Sequence, residues 1–353
     1  MSSMMEYKCP NCGGKLEFNA ASQKLKCPYC DGEFDPNSFS DEVKIDVKNE
    51  TWQENDLNVY TCNSCGGVIM TDKDTVATAC PYCGSPVVLS GNLSGTYRPT
   101  RIIPFKLDKK QAIGKYEEHL KGKKLLPDHF KNLDLIEEIK GIYVPFWLFD
   151  GKASGQAWYD ACKIRTWSDS DFRYTETSNY KVFRSGYADF SKVPVDGSTH
   201  IDDDLSQSIE PYDNSELIDF NENYLPGYLA EKYNVESSDA VSTANNRIQN
   251  SMTSLLDSTV IGYDSIISSR HNVSINKGQQ EYVMYPMWIL TTKYEEQNYL
   301  FAMNGQTGKF VGNLPTDNKK LLKYALLTFL IVSLVVIALQ FVLIKAGILW
   351  KRY

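Results

Sequence analysis

The sequence is poor in the groups from which enzymes build sites. It has four histidines in 353 residues, His119, His129, His200 and His271, and they are scattered. None stands in an H-E-x-x-H frame, which removes that class of metallohydrolase. No G-x-S-x-G elbow occurs, so the hydrolase nucleophile turn is excluded too. Gly305-Gln306-Thr307-Gly308-Lys309 is not a phosphate loop. Such a loop needs four residues between its glycines and Ser or Thr after the lysine, where this chain has two and Phe310. A hairpin turn near Asn304-Gly305 is the better reading. Asp202-Asp203-Asp204 lacks EF-hand spacing and reads as a solvated acidic loop. Excess positive charge is missing as well. The net charge is −7, which argues against a nucleic-acid protein. The opening MSSMMEYKCP has no apolar run, so no secretory signal is expected. The expectation is a protein that is not an enzyme.

What the chain does have is cysteine in a pattern. Eight of nine form two frames of the type C-x2-C-x14-C-x2-C: Cys9, Cys12, Cys27 and Cys30, then Cys62, Cys65, Cys80 and Cys83. Every cysteine of the first frame recurs 53 residues later. Paired CxxC turns bring four thiolates around one ion, so each frame predicts a zinc ribbon, two Zn(II) per chain, in a reducing compartment. Iron is the alternative metal for four thiolates. All four positions are filled by protein, which leaves no place for an activated water and makes the metal structural. Gly13 and Gly66 follow the second cysteine of their frames and allow a sharp turn. A module of about 30 residues has too little core to fold alone, so the ion supplies stability. Residues 1–34 carry four lysines and four acids, and 58–90 one lysine and two acids. A basic stripe for phosphate binding is absent from both. The ninth cysteine, Cys162, reads as a packing residue.

The second conspicuous segment is Tyr324 to Ile344, 21 residues without a charge. As a helix it would be about 30 Å long, the thickness of a bilayer core. Lys319, Lys320 and Lys323 precede it; Lys345, Lys351 and Arg352 follow. Basic residues are balanced, so the charge rule gives no orientation, but thiolate ribbons belong in the cytoplasm. A single-pass cell-membrane protein with its N-terminal bulk cytoplasmic is expected.

The expected fold is multidomain: two small β zinc ribbons (1–35 and 58–90) joined by an acidic linker (36–57), a β-dominated α+β domain (97–315), one transmembrane helix (324–344) and a short tail (345–353). Within the domain, Asp108-x-x-Gln111 predicts a capping box and a helix through about Leu120. Asp128 to Ile139 predicts a second short helix. Val241, Ala244, Ile248, Met252 and Leu255 predict a third, with Ser238 as its cap. Pro145-x-Trp147 matches Pro286-x-Trp288, each proline opening a strand; the match is either a second duplication or chance. Trp147, Trp158, Trp167 and Trp288 are expected in the core. Residues 98–152 are basic, with twelve Lys/Arg against eight acids, and 196–240 acidic, with twelve acids against Lys232.

Several segments together resemble the bacterial TFIIB-type zinc-ribbon membrane proteins of the YdjG kind. They are CPNCGG and CPYC, GYADFSKVPVDGS, IEPYDNSELIDF and YLPGYLAEKY within 186–233, YPMWILTTKYEEQNYLFAMNGQTGKFVGNLP at 285–315, and the terminal apolar helix. The resemblance covers nearly the full length. It implies a membrane-anchored scaffold linked to phage-shock-type envelope-stress proteins, with metal ligands at the eight cysteines and no catalytic residues. The function expected is an adaptor that recruits protein partners at the membrane; a membrane-tethered nucleic-acid-binding protein is the alternative.

Overall fold

The structure is a computed structural model that describes residues 3–4, 7–38, 45–46, 57–61, 68–72, 75–79, 85–89, 98–131, 139–201 and 203–345. A two-residue strand, β1 (Ser3–Met4), is followed by β2 (Glu17–Asn19), β3 (Lys24–Lys26) and β4 (Glu33–Phe34), which form a three-stranded antiparallel sheet. Alternation is strict there: Phe18 and Leu25 point inward while their charged neighbours stay in water. Next come β5 (Ile45–Asp46), paired to β1, then the hairpins β6 (Leu57–Thr61) with β7 (Val68–Asp72) and β8 (Thr75–Ala79) with β9 (Pro86–Val88).

The remaining chain runs β10 (Arg101–Ile102), α1 (Lys109–Leu120), β11 (Lys140–Ser168), β12 (Arg173–Asp196), α2 (Asp203–Ser208), β13 (Ile218–Asp219), β14 (Leu229–Glu231), α3 (Ser237–Ser258), β15 (Ser265–Tyr294), β16 (Gln297–Asn304), β17 (Phe310–Gly312) and α4 (Asn318–Lys345). β8 and β9 join the strands from β10 to β17 in one ten-stranded sheet. α1 starts with the capping box the sequence announces: Asp108 Oδ1 accepts from Gln111 N at 2.8 Å, and Gln111 Oε1 accepts from Asp108 N at 2.9 Å. Asp128–Lys131 is a 3-10 turn, and 132–138, the rest of the expected second helix, lie outside the described residues.

Three expectations about local structure need correction, besides one on two tryptophans. α3 starts at Ser237 after Glu236, so Ser238 lies inside it and caps nothing. Its buried stripe is Ala240, Ala244, Ile248, Met252 and Leu256, while Leu255 is half exposed and Val241 only partly buried. Steps of four residues, repeated, fix the face, and Leu255 falls off it. Pro145 and Pro286 do not open strands; both lie within long ones, at places where a neighbouring strand ends and another begins. A residue with no N–H fits such a gap.

The two proline strands reveal an internal duplication. Tyr143↔Pro286, Val144↔Tyr285 and Pro145↔Met284 pair in register, so the segment reads alike from both directions. β14 runs parallel to β11 at Ile142 and Tyr143, as β10 runs parallel to β15 at Val283 and Met284. Gly197 N donates to Pro145 O, and Gly305 N to Pro286 O, both at 2.9 Å. The Gly197 carbonyl accepts from Asn234 and Val235, and that of Gly305 from Lys106 and Leu107. Trp147 Nε1 donates to Val235 O at 2.9 Å, and Trp288 Nε1 to Leu107 O at 3.1 Å. Each half is thus β–α–β–β (β10-α1-β11-β12 and β14-α3-β15-β16), and each tryptophan ties its strand to the loop before the other half's helix.

The halves differ in one large addition. Beyond the paired prolines, β11, β12 and β15 continue as a long three-stranded arm. α3, longer than α1, covers one face of it through Ile248, Met252 and Leu256 against Ala153, Ala157 and Tyr159. The opposite face and the tip stay in water, which corrects the expectation for two tryptophans: Trp158 and Trp167 are exposed there, whereas Trp147 and Trp288 are core. At the chain's other end, α4 is a 28-residue helix with no buried residue.

Candidate metal centre

The first cysteine frame folds into a single cluster. Two tight turns carry it. In the first, Gly13 N donates to Cys9 O at 2.8 Å and Cys9 N to Gly14 O at 2.6 Å. In the second, Asp31 N donates to Cys27 O at 3.0 Å and Cys27 N to Gly32 O at 2.9 Å. Both turns need a left-handed residue after the second cysteine. Gly13 supplies it at φ 73° and Asp31 at φ 55°; aspartate is among the few non-glycine residues that tolerate this region. The glycine reading is therefore right for conformation at Gly13, where an added Cβ would meet nothing within 4 Å.

These turns bring the four sulfurs together. Cys9 Sγ lies 3.5 Å from Cys30 Sγ, Cys12 Sγ 3.5 Å from Cys27 Sγ, and all four are within 4.8 Å of one another. A tetrahedral ion with metal–sulfur bonds of about 2.3 Å requires sulfur–sulfur edges of about 3.8 Å. The cluster matches that size, and the donor set is the one a thiophilic ion takes. Cys9 and Cys27 are buried; Cys12 and Cys30 face solvent. Burial raises the Cys27 thiol, but the Tyr29 and Cys30 amides and the Cys12 and Cys30 sulfurs pull the other way and bring it down to about 7. For Cys30 the Gly32 amide lowers the pKa, and hydrogen bonding with Cys9, Cys12 and Cys27 outweighs it, pushing the thiol up to about 12. Backbone amides aimed at sulfur stabilise thiolates, as the outer shell of a metal site does.

The module is not free-standing. Leu16, Phe18 and Leu25, with Cys9 and Cys27, share one core with Phe105, Tyr224 and Tyr228 of the large domain. Phe18 N donates to Pro226 O at 2.8 Å, its ring meets Tyr224 edge-on at 5.1 Å, and Gln23 Nε2 donates to Phe105 O at 2.7 Å.

Cys62, Cys65, Cys80 and Cys83 lie outside the described residues. The strands flanking them repeat the first module's register. Lys8↔Lys15 brackets Cys9 and Cys12 as Thr61↔Val68 brackets Cys62 and Cys65. Lys26↔Glu33 brackets Cys27 and Cys30 as Ala79↔Pro86 brackets Cys80 and Cys83. β8 pairs with β14, so this second segment also joins the large sheet.

The other residues singled out by sequence make local contacts. Cys162 is buried with Sγ 3.0 Å from Ser265 Oγ. Asn304 Oδ1 accepts from Gln306 N and Thr307 N, both at 2.9 Å, so the amides of this turn serve its own asparagine. At least three of the twelve acids in 196–240 are paired within the protein: Glu222 binds Arg98 at 2.6 Å, Glu210 binds Arg247 at 3.0 Å and Glu216 lies 3.5 Å from Lys106.

These features define a multidomain, β-dominated α+β protein with a four-cysteine cluster and one apolar C-terminal helix long enough to cross a membrane. The chain is 34% identical over 317 residues to uncharacterized protein YdjG of Bacillus subtilis (strain 168), covering 90% of this chain and 92% of that protein. It belongs to the YdjG family. No family model and no solved structure matches it.

Proposed function

We propose that this protein is a membrane-anchored zinc-ribbon adaptor. Two TFIIB-type ribbons, each holding one Zn(II) through four of the eight cysteines, sit on the α+β domain, and α4 fixes the assembly to the cell membrane with its bulk in the cytoplasm. The protein recruits protein partners there, in a phage-shock-type envelope-stress complex. The observation that carries the reading is the closed four-sulfur cluster built into a domain that is followed by an apolar helix with no buried residue. A site saturated by protein ligands has no position for substrate, so the metal acts as a fold element beneath a contact surface. Tyr29, 71% exposed beside Cys30, and the aromatic arm, with Phe172 and Tyr187, offer such surface. The shared core makes removal of residues 1–90 a poor test, since it would strip the large domain's own packing. Photo-crosslinking from Tyr29, Phe172 and Tyr187 in intact membranes is better. Discrete protein adducts from at least one position are expected; adducts to nucleic acid, or none from any position, would overturn the adaptor reading.

A further inference from the structure

The segment after α1 is stapled to the start of α4. Lys320 Nζ donates to Leu126 O at 2.8 Å and to Asp128 Oδ1 at 2.7 Å, and Asp317 N donates to Leu125 O at 2.8 Å. The charge-free run of α4 begins at Tyr324, about 6 Å further along the helix axis at about 1.5 Å per residue. Whatever lies beside Lys320 therefore lies at the depth of lipid headgroups, if α4 spans the bilayer.

Lys131, which shares Asp128 with Lys320, borders a basic pocket of about 680 Å³. Lys121, Lys123, Lys124 and Lys131 line it, over an apolar floor that includes Tyr116 and Leu120. Glu117 and Glu118 also border it, but Lys115 holds Glu118 at 3.0 Å. Asp128 is shared by Lys131 and Lys320. Among the described residues, Lys121, Lys123 and Lys124 form no ion pair with a carboxylate. Burial lowers the Lys123 pKa, and His119, whose ring nitrogen lies 2.9 Å from Lys123 Nζ, is lowered by burial and then by that ammonium. The pocket thus presents three lysines without a carboxylate partner, with Glu117 at its border, over apolar carbon.

We propose that this pocket binds the headgroup of an anionic phospholipid, with Lys121, Lys123 and Lys124 on the phosphodiester and the apolar floor under the glycerol region. The geometry goes beyond anchoring: α4 alone holds the protein in any bilayer, whereas the lysine pocket selects lipid by charge and orients the domain against the membrane. The inference rests on α4 being the anchor, and the test separates the two.

Full-length protein in detergent, offered equal phosphatidylcholine and phosphatidylglycerol, is read by native mass spectrometry. Preferential retention of phosphatidylglycerol is expected. A lysine near an anionic surface contributes roughly a five-fold preference, so Lys121→Gln/Lys123→Gln/Lys124→Gln should lose selectivity about ten-fold or more. Lys-to-Arg replacement at the three positions should keep it. So should Lys152→Gln/Lys163→Gln/Lys277→Gln, an equal charge loss on the arm. Retained selectivity in the pocket variant, or equal loss in the arm variant, overturns the proposal. So does binding of inorganic phosphate alone at millimolar concentration that displaces the lipid, which would mark a free-anion site. Flotation with vesicles of phosphatidylcholine alone reads the anchor separately: both variants should float like the wild type, and failure of the wild type to float would strike the anchor rather than the pocket.

Discussion

Phe18→Ala measures how firmly the four-cysteine module is joined to the domain beneath it. Phe18 is 4% exposed, lies edge-on to Tyr224 and shares its core with Leu16, Leu25, Phe105 and Tyr228. Truncating a buried phenylalanine costs about 3–5 kcal/mol, because the neighbours fill the cavity only in part. Gln23 to Phe105 O and the backbone bond to Pro226 O remain, so the module should stay docked but open far more often. Openings governed by that free energy should speed amide exchange within 7–34 by about a hundred- to several-thousand-fold. Hydrogen-exchange mass spectrometry of the full chain reads this directly. Metal content should stay at the wild-type value while chelator removes the first ion faster. Unchanged exchange in 7–34 with the metal retained would refute the reasoning, since the module would then be held by its ion alone.

Three further outcomes follow from particular residues. Asp196 is buried, one of its oxygens has no partner, and burial, with Asp203 and Glu231 nearby, outweighs the Ser198 and Ser206 hydrogen bonds and pushes its carboxyl up to about 7. A raised folded pKa means that the native state holds this proton more tightly than the unfolded chain. Its contribution to stability is therefore greatest below about pH 4 and is lost as pH rises to about 7, by up to roughly 4 kcal/mol. Asp196→Asn, which copies the matching Asn304, should raise the melting temperature at pH 8 and flatten its decline between pH 5 and 8; an unchanged slope would exclude Asp196 as its source. Trp147→Phe should leave the Val235 carbonyl unpaired, at a cost of about 1–3 kcal/mol, and speed exchange at Asn234 and Val235 while sparing Lys106 and Leu107; Trp288→Phe should do the reverse. If each variant loosened both loops alike, the two halves would not be independent copies.

The parts legible in sequence were those set by local chemistry. Cysteine spacing announced the cluster, because a CxxC turn is complete within six residues. Asp108 and Gln111 announced α1, and Asn304-Gly305 its hairpin turn. The duplication was hinted at only by Pro145-x-Trp147 and Pro286-x-Trp288. Its further signature, Asp196-Gly197 against Asn304-Gly305, is two residues long and gains meaning only when both glycines are seen bonding the matching prolines. Unequal helices, 12 residues in α1 and 22 in α3, break the spacing that would have aligned the halves. The exposure of Trp158 and Trp167 goes against expectation because a strand's alternation names two faces without telling whether anything covers the second. The lysine pocket was legible as a net basic stretch; its place beside α4 depends on Lys320 reaching Leu126 and Asp128, a contact between residues far apart in the chain.

The account depends most on two metal centres of four thiolates each. Elemental analysis of the purified full-length protein should find two zinc per chain. Cys27→Ser should bring the count to one, and Cys80→Ser should do the same. One ion or none in the wild type would contradict the repeated centre, and iron in place of zinc would contradict the metal.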